Sequence, residues 1–93
     1  MIKLKCHSVW FYSPADETSF FQFIKQIKSI RRVEGVGEDL FLHVKTPTSL
    51  KSLRDLIGLF RRYRIDLVEL KKLKNKKNAE VFILINKLIR NQK

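Results

Sequence analysis

Two histidines, a lone cysteine and several lysines interleaved with aromatic rings are the residues of this chain whose types could do chemistry. His7 and His43 lie in segments that read as strands, KCHSV and FLHVK, and adjacent strands could bring the two imidazoles together as the start of a metal site or an acid–base pair. A metal needs more ligands than that. Cys6 alternates to the opposite strand face from His7, and no acidic residue at ligand spacing joins the pair, so neither a metal nor a cofactor is expected. As a nucleophile, Cys6 fares no better, because an inward position on a strand suits a small core residue. The serines lack a G-x-S-x-G context, and Asp16, Glu17, Glu34, Glu38 and Asp39 sit at caps and turns that structure alone explains. The chain reads as a non-enzyme with no catalytic residue.

Binding chemistry is better represented. Strand alternation predicts one sheet face carrying Lys3, Lys5, His7 and Phe11 from a first strand and Phe41, His43 and Lys45 from a third. Rings flanked by cations can stack bases while ammonium groups meet phosphates. The glycine–aromatic run that marks RNA-recognition strands is absent from LFLHVK, so no family is assigned.

Charge adds a second surface. The chain is +11 overall, and residues 1–60 carry 9 basic and 6 acidic side chains whereas residues 61–93 carry 11 and 3. Arg61, Arg62 and Arg64 close a helix, and Lys71, Lys72, Lys74, Lys76 and Lys77 follow soon after. Such a cluster can track a phosphate backbone by displacing its condensed counterions. A generally lysine-rich proteome would produce the same charge without a partner.

These residues need elements to hold them. Residues 2–12 read as a strand, with Ile2, Leu4, Cys6, Ser8, Trp10 and Tyr12 on one face and a bulge possible near residues 7–9, where both faces turn apolar. Ser13-Pro14-Ala15-Asp16 is a helix start, and Phe20, Phe23, Ile24 and Ile27 form the stripe of a helix that runs to about Ser29. RRVEGVGEDLFLHVK is a hairpin: a strand over about residues 32–35, a turn around residues 35–39 and a strand over residues 40–45. Thr46-Pro47 begins a second helix over about residues 47–63, with Leu50, Leu53, Leu56, Ile57, Phe60 and Tyr63 inward and Arg64 where a helix often ends in glycine. Residues 65–70, IDLVEL, read as a fourth strand, KKLKNKKN as an exposed loop over 71–78, and residues 79–91 as an amphipathic helix started by Asn78.

The order βαββαβ plus a last helix predicts one α+β domain over residues 1–93: a ferredoxin-like antiparallel sheet with two helices on one face and a C-terminal helix. Residues 1–70 form its core. The opposite sheet face is open unless the last helix or another subunit covers it.

Taken together, these features predict a small domain that binds RNA or DNA through its basic C-terminal third, with the open face as a further platform. A protein-interaction module is the alternative, either a homodimer through the open sheet or an inhibitor or immunity protein that masks another protein. The last helix, with Lys87, Arg90 and Lys93, could also dock on a membrane surface or a partner, although packing on its own domain is favoured. The longest apolar run, residues 81–85, is too short to span a bilayer, IKLKCHSVW does not read as a signal peptide, and one cysteine allows no internal disulfide. A cytoplasmic location is expected.

Overall fold

A computed structural model describes residues 1–91 as an α+β fold with a three-stranded antiparallel sheet and four helical segments. Strands β1 (Ile2–His7), β2 (Ile30–Val36) and β3 (Asp39–Val44) lie in the order β1-β3-β2. The α-helices are α1 (Pro14–Gln26), α2 (Leu50–Arg62) and α3 (Ala79–Asn91), and a 3-10 helix spans Leu67–Leu73.

Alternation decides which way the sheet faces. Leu4 and Cys6 of β1 pair with Leu42 and Leu40 of β3, and Leu4, Cys6, Leu42 and Val44 are fully buried. Phe20 and Ile24 of α1 and Leu53, Leu56, Leu59 and Phe60 of α2 join them in one core. The other face bears Lys3, Lys5 and His7, opposite His43, Phe41 and Asp39. Arg32 and Glu34 of β2 extend this face by pairing with His43 and Phe41. Lys3, Lys5, His7 and Arg32 are exposed, and α3 packs on the 3-10 helix.

The hairpin closes through Gly37-Glu38, because Val36 and Asp39 are partners. Gly37 has φ +60° and Glu38 has no positive φ, which is the type II′ pattern suited to strand twist. The turn is thus tighter than residues 35–39, and β2 continues to Val36.

The first strand is shorter than its sequence suggests. Its last partner is Asp39, the first residue of β3, so beyond His7 the chain meets only the hairpin turn. Ser8 donates its N–H to the Glu38 carbonyl at 3.1 Å and turns the chain at φ +47°. Ser13 then caps α1, its hydroxyl accepting the Asp16 N–H at 3.2 Å, and Asp16 in turn accepts the Tyr12 N–H at 3.1 Å. The helix ends at Gln26, three residues before Ser29. The second helix also starts later than Pro47: Thr46-Pro47 is a cis peptide, and Ser49 is the cap, accepting the Ser52 N–H at 3.1 Å.

The fourth strand does not form, so the sheet lacks one strand of the ferredoxin-like βαββαβ arrangement. In LVELKKL the buried residues are Leu67, Leu70 and Leu73, a spacing of three that matches a 3-10 turn and cannot be met by alternation. Asp66 caps this segment by accepting the Val68 N–H at 3.0 Å. Lys71 and Lys72 therefore belong to a helix and not to a loop.

Asn78 is buried and braces the connection that follows: its Nδ2 donates to the Leu73 carbonyl at 2.9 Å, and its Oδ1 accepts the Asn75 N–H at 2.7 Å. On α3 the buried residues are Phe82 and Ile85, and Leu84 faces outward. Among the described residues no helix is long and apolar enough to cross a membrane.

Candidate nucleic-acid interface

On the open sheet face the cations are already engaged. Asp39 accepts from the His7 ring and lies 3.6 Å from Lys5 Nζ. Glu34 accepts from His43 Nε2 at 3.0 Å, with Arg32 at 3.8 Å. These hydrogen bonds from His7 and His43 hold the two carboxyls below their usual range against the opposing effect of desolvation, and Lys5 and Arg32 assist. Lys3 Nζ sits 5.8 Å from the centroid of the half-buried Phe41 ring, a cation–π arrangement that occupies the ring a base would stack on.

The histidines are not neighbours. His7 is opposite Asp39 and His43 lies four residues farther along β3, about 13 Å away at strand rise, each committed to a different carboxylate. Among the described residues no three His, Cys, Asp or Glu side chains converge as a metal site. Cys6 is buried and its thiol is pushed up to about 12, by burial first and by the negative charge of Glu69 second.

Phe11 does not belong to the open face. Because the chain leaves the sheet at Ser8, its ring lands on the helical side, 5.2 Å from Phe20 and 6.2 Å from Tyr63 between centroids. It packs against the core and offers no stacking platform there.

The departure at Ser8 brings two other rings to the surface. Trp10 is 70 % exposed and Tyr12 79 %, and the two meet edge to face at 6.3 Å. With Ser8, Asp16 and Tyr63 they line a cleft of about 290 Å³ whose remaining wall is Arg62 and Arg64. Large exposed aromatics are unusual on a lone domain, and here two of them border two guanidinium groups.

Arg64 owes its position to the end of α2. The Ile65 N–H bonds to the Phe60 carbonyl at 2.8 Å and the Arg64 N–H to the Arg61 carbonyl at 3.4 Å, the two bonds of a Schellman motif. That motif requires a left-handed residue and usually takes glycine, but here Arg64 adopts φ +57°. Ser8 and Arg64 are the described non-glycine residues with positive φ, and both line the cleft. Backbone strain of roughly 1–3 kcal/mol per residue is thus concentrated at one surface feature.

The remaining cations lie elsewhere. Arg61 is exposed on the last turn of α2, and Lys45 is exposed just after β3, its N–H bound to the Ser29 carbonyl at 2.8 Å. Lys72 is tied down by Glu69 Oε1 at 2.8 Å and by the Lys3 carbonyl at 3.3 Å. Among the described residues Arg61, Arg62, Arg64, Lys71, Lys74, Lys76 and Lys77 form no ion pair with a carboxylate.

Of the residues singled out from sequence, Arg62 and Arg64 come together in a cleft, whereas Lys3, Lys5, Phe41 and Lys72 are held in internal contacts. Trp10 and Tyr12 escape a sequence reading that assigns them to an inner strand face. The run WFY ahead of Ser13-Pro14, apolar at three successive positions, was the available sign that alternation had ended. Comparisons with protein-family models, with curated proteins and with solved structures give no match for this chain.

Proposed function

We propose that this domain is a non-enzymatic, cytoplasmic binder of single-stranded nucleic acid, with bases stacking on Trp10 and Tyr12 and phosphates meeting Arg62 and Arg64. One observation carries this reading: two exposed rings and two arginines that form no ion pair among the described residues share a cleft, which the left-handed Ser8 and Arg64 both line. Rings stack bases of any sequence at about 1–3 kcal/mol per base, and arginine forks suit phosphate oxygens. Arg61, Lys71, Lys74, Lys76 and Lys77 add long-range attraction to the same polyanion. A duplex hides its base faces, so single strands are the preferred ligand. In this reading the fold is a ferredoxin-like arrangement in which a 3-10 helix stands where the fourth strand would lie.

Trp10 is the sole tryptophan, so its fluorescence reports the cleft directly. Titration with a single-stranded oligonucleotide is expected to quench it, with affinity falling log-linearly with salt. A Trp10→Ala variant, followed by anisotropy of a labelled oligonucleotide, is expected to lose about 1–3 kcal/mol. An Arg62→Ala, Arg64→Ala double variant should lower the salt slope by roughly 1.4, at about 0.7 per phosphate contact on a single strand. Binding indifferent to all three substitutions, or no binding at low salt, refutes the proposal.

A further inference from the structure

The two edges of the sheet are treated differently. Along the outer edge of β1, Glu69 accepts the Lys5 N–H at 2.7 Å and Lys72 donates to the Lys3 carbonyl at 3.3 Å, so side chains occupy positions a neighbouring strand would use. Among the described residues the outer edge of β2 has no such cover. With a two-residue turn, Val36 and Asp39 form the closing hydrogen-bonded pair, so Glu34 and Arg32 also bond to β3. The N–H and C=O groups of Val33 and Gly35 then point away from the sheet, and no group among the described residues bonds to them.

We infer that this free β2 edge pairs with β2 of a second copy of the chain, in an antiparallel register centred on Val33, to give a continuous six-stranded sheet. Charge selects both the occupant and the register. The segment Arg32-Val33-Glu34 is complementary to itself when reversed, so a two-fold axis through Val33 sets Arg32 against Glu34 of the second copy, twice. These are non-hydrogen-bonded positions, where facing side chains lie closest, while the two Val33 residues exchange both backbone bonds. The neighbouring registers that keep hydrogen-bond parity are centred on Glu34 or Arg32, and they oppose like charges. An axis perpendicular to the sheet keeps both helical layers on one side, so each core stays covered. This assembly differs from a face-to-face dimer through the open sheet, and it does not depend on nucleic-acid binding.

The test is sedimentation equilibrium over a wide concentration range on the wild type, Arg32→Glu, Glu34→Arg, and an equimolar mixture of the two variants. A concentration-dependent dimer is expected for the wild type. Each variant alone should weaken self-association about tenfold or more, because both facing pairs become repulsive. The mixture should associate again as a heterodimer, since positions 32 and 34 are then both acidic on one chain and both basic on the other. That recovery excludes simple misfolding. A wild type that stays monomeric overturns the inference and leaves the register shift between Ile30 and Arg32 and the charge of Arg32 as guards of the edge. A dimer insensitive to both substitutions overturns it equally.

Discussion

The Glu69 carboxylate accepts a hydrogen bond from the backbone N–H of Lys5 at 2.7 Å, joining residues 64 apart in the chain. The same oxygen receives Lys72 Nζ at 2.8 Å, and the Lys72 ammonium also reaches the Lys3 carbonyl. Two edge groups of β1 are thereby satisfied without a fourth strand. Glu69→Ala removes the acceptor of the exposed Lys5 N–H and frees Lys72, and is expected to lower the unfolding free energy by about 0.5–1.5 kcal/mol in a urea titration. Glu69→Gln keeps an acceptor without its charge and should lose less. Equal stability of Glu69→Ala and wild type would show that water serves the edge as well.

Arg64 tests whether strain is kept for binding. Glycine adopts φ +57° without the Cβ clash that arginine incurs there, so Arg64→Gly should stabilise the fold by about 1 kcal/mol while weakening oligonucleotide affinity. Opposite signs in the two measurements are the expected outcome. If stability falls instead, the guanidinium contributes to folding and the cleft is not a strained site.

Cys6 should be chemically silent. With its thiol pushed up to about 12 and its side chain in the core, the native protein is expected not to react with a thiol reagent at pH 8, and to react fully once unfolded. Rapid native reaction would mean that β1 opens readily from the sheet.

Acid should loosen the open face. Glu34 and Asp39 have folded values depressed chiefly by hydrogen bonds from His43 and His7, so their contribution is complete above the unfolded carboxylate values and is lost as pH falls through the folded ones. Between neutrality and the usual carboxylate range little change is expected from these groups, followed by a decline below about pH 4. Glu34→Gln with Asp39→Asn should flatten that part of a profile of melting temperature against pH. An unchanged acid limb would assign the decline to other carboxylates.

Local patterns in the sequence determined the three α-helices, the hairpin and the facing of the strands. Ser13-Pro14 starts α1, the alternation of Leu40, Leu42 and Val44 faces β3 inward, with Leu40 half-buried, and Asn78 directly precedes α3. Each of these signals acts within one element. Even the cap anomaly at Arg64 was visible, because the Schellman motif has a local residue requirement. Tertiary structure alone decided where β1 stops, since its length depends on how far β3 extends beside it. That decision moved Phe11 into the helical layer and left Trp10 and Tyr12 at the surface. It likewise decided that residues 67–73 coil along the β1 edge: the spacing of Leu67, Leu70 and Leu73 allows a 3-10 turn, but only a sheet edge with free Lys5 and Lys3 groups gives Glu69 and Lys72 something to bond. Strand pairing and edge cover are contacts between distant segments, and a single sequence records their residues without recording which of them meet.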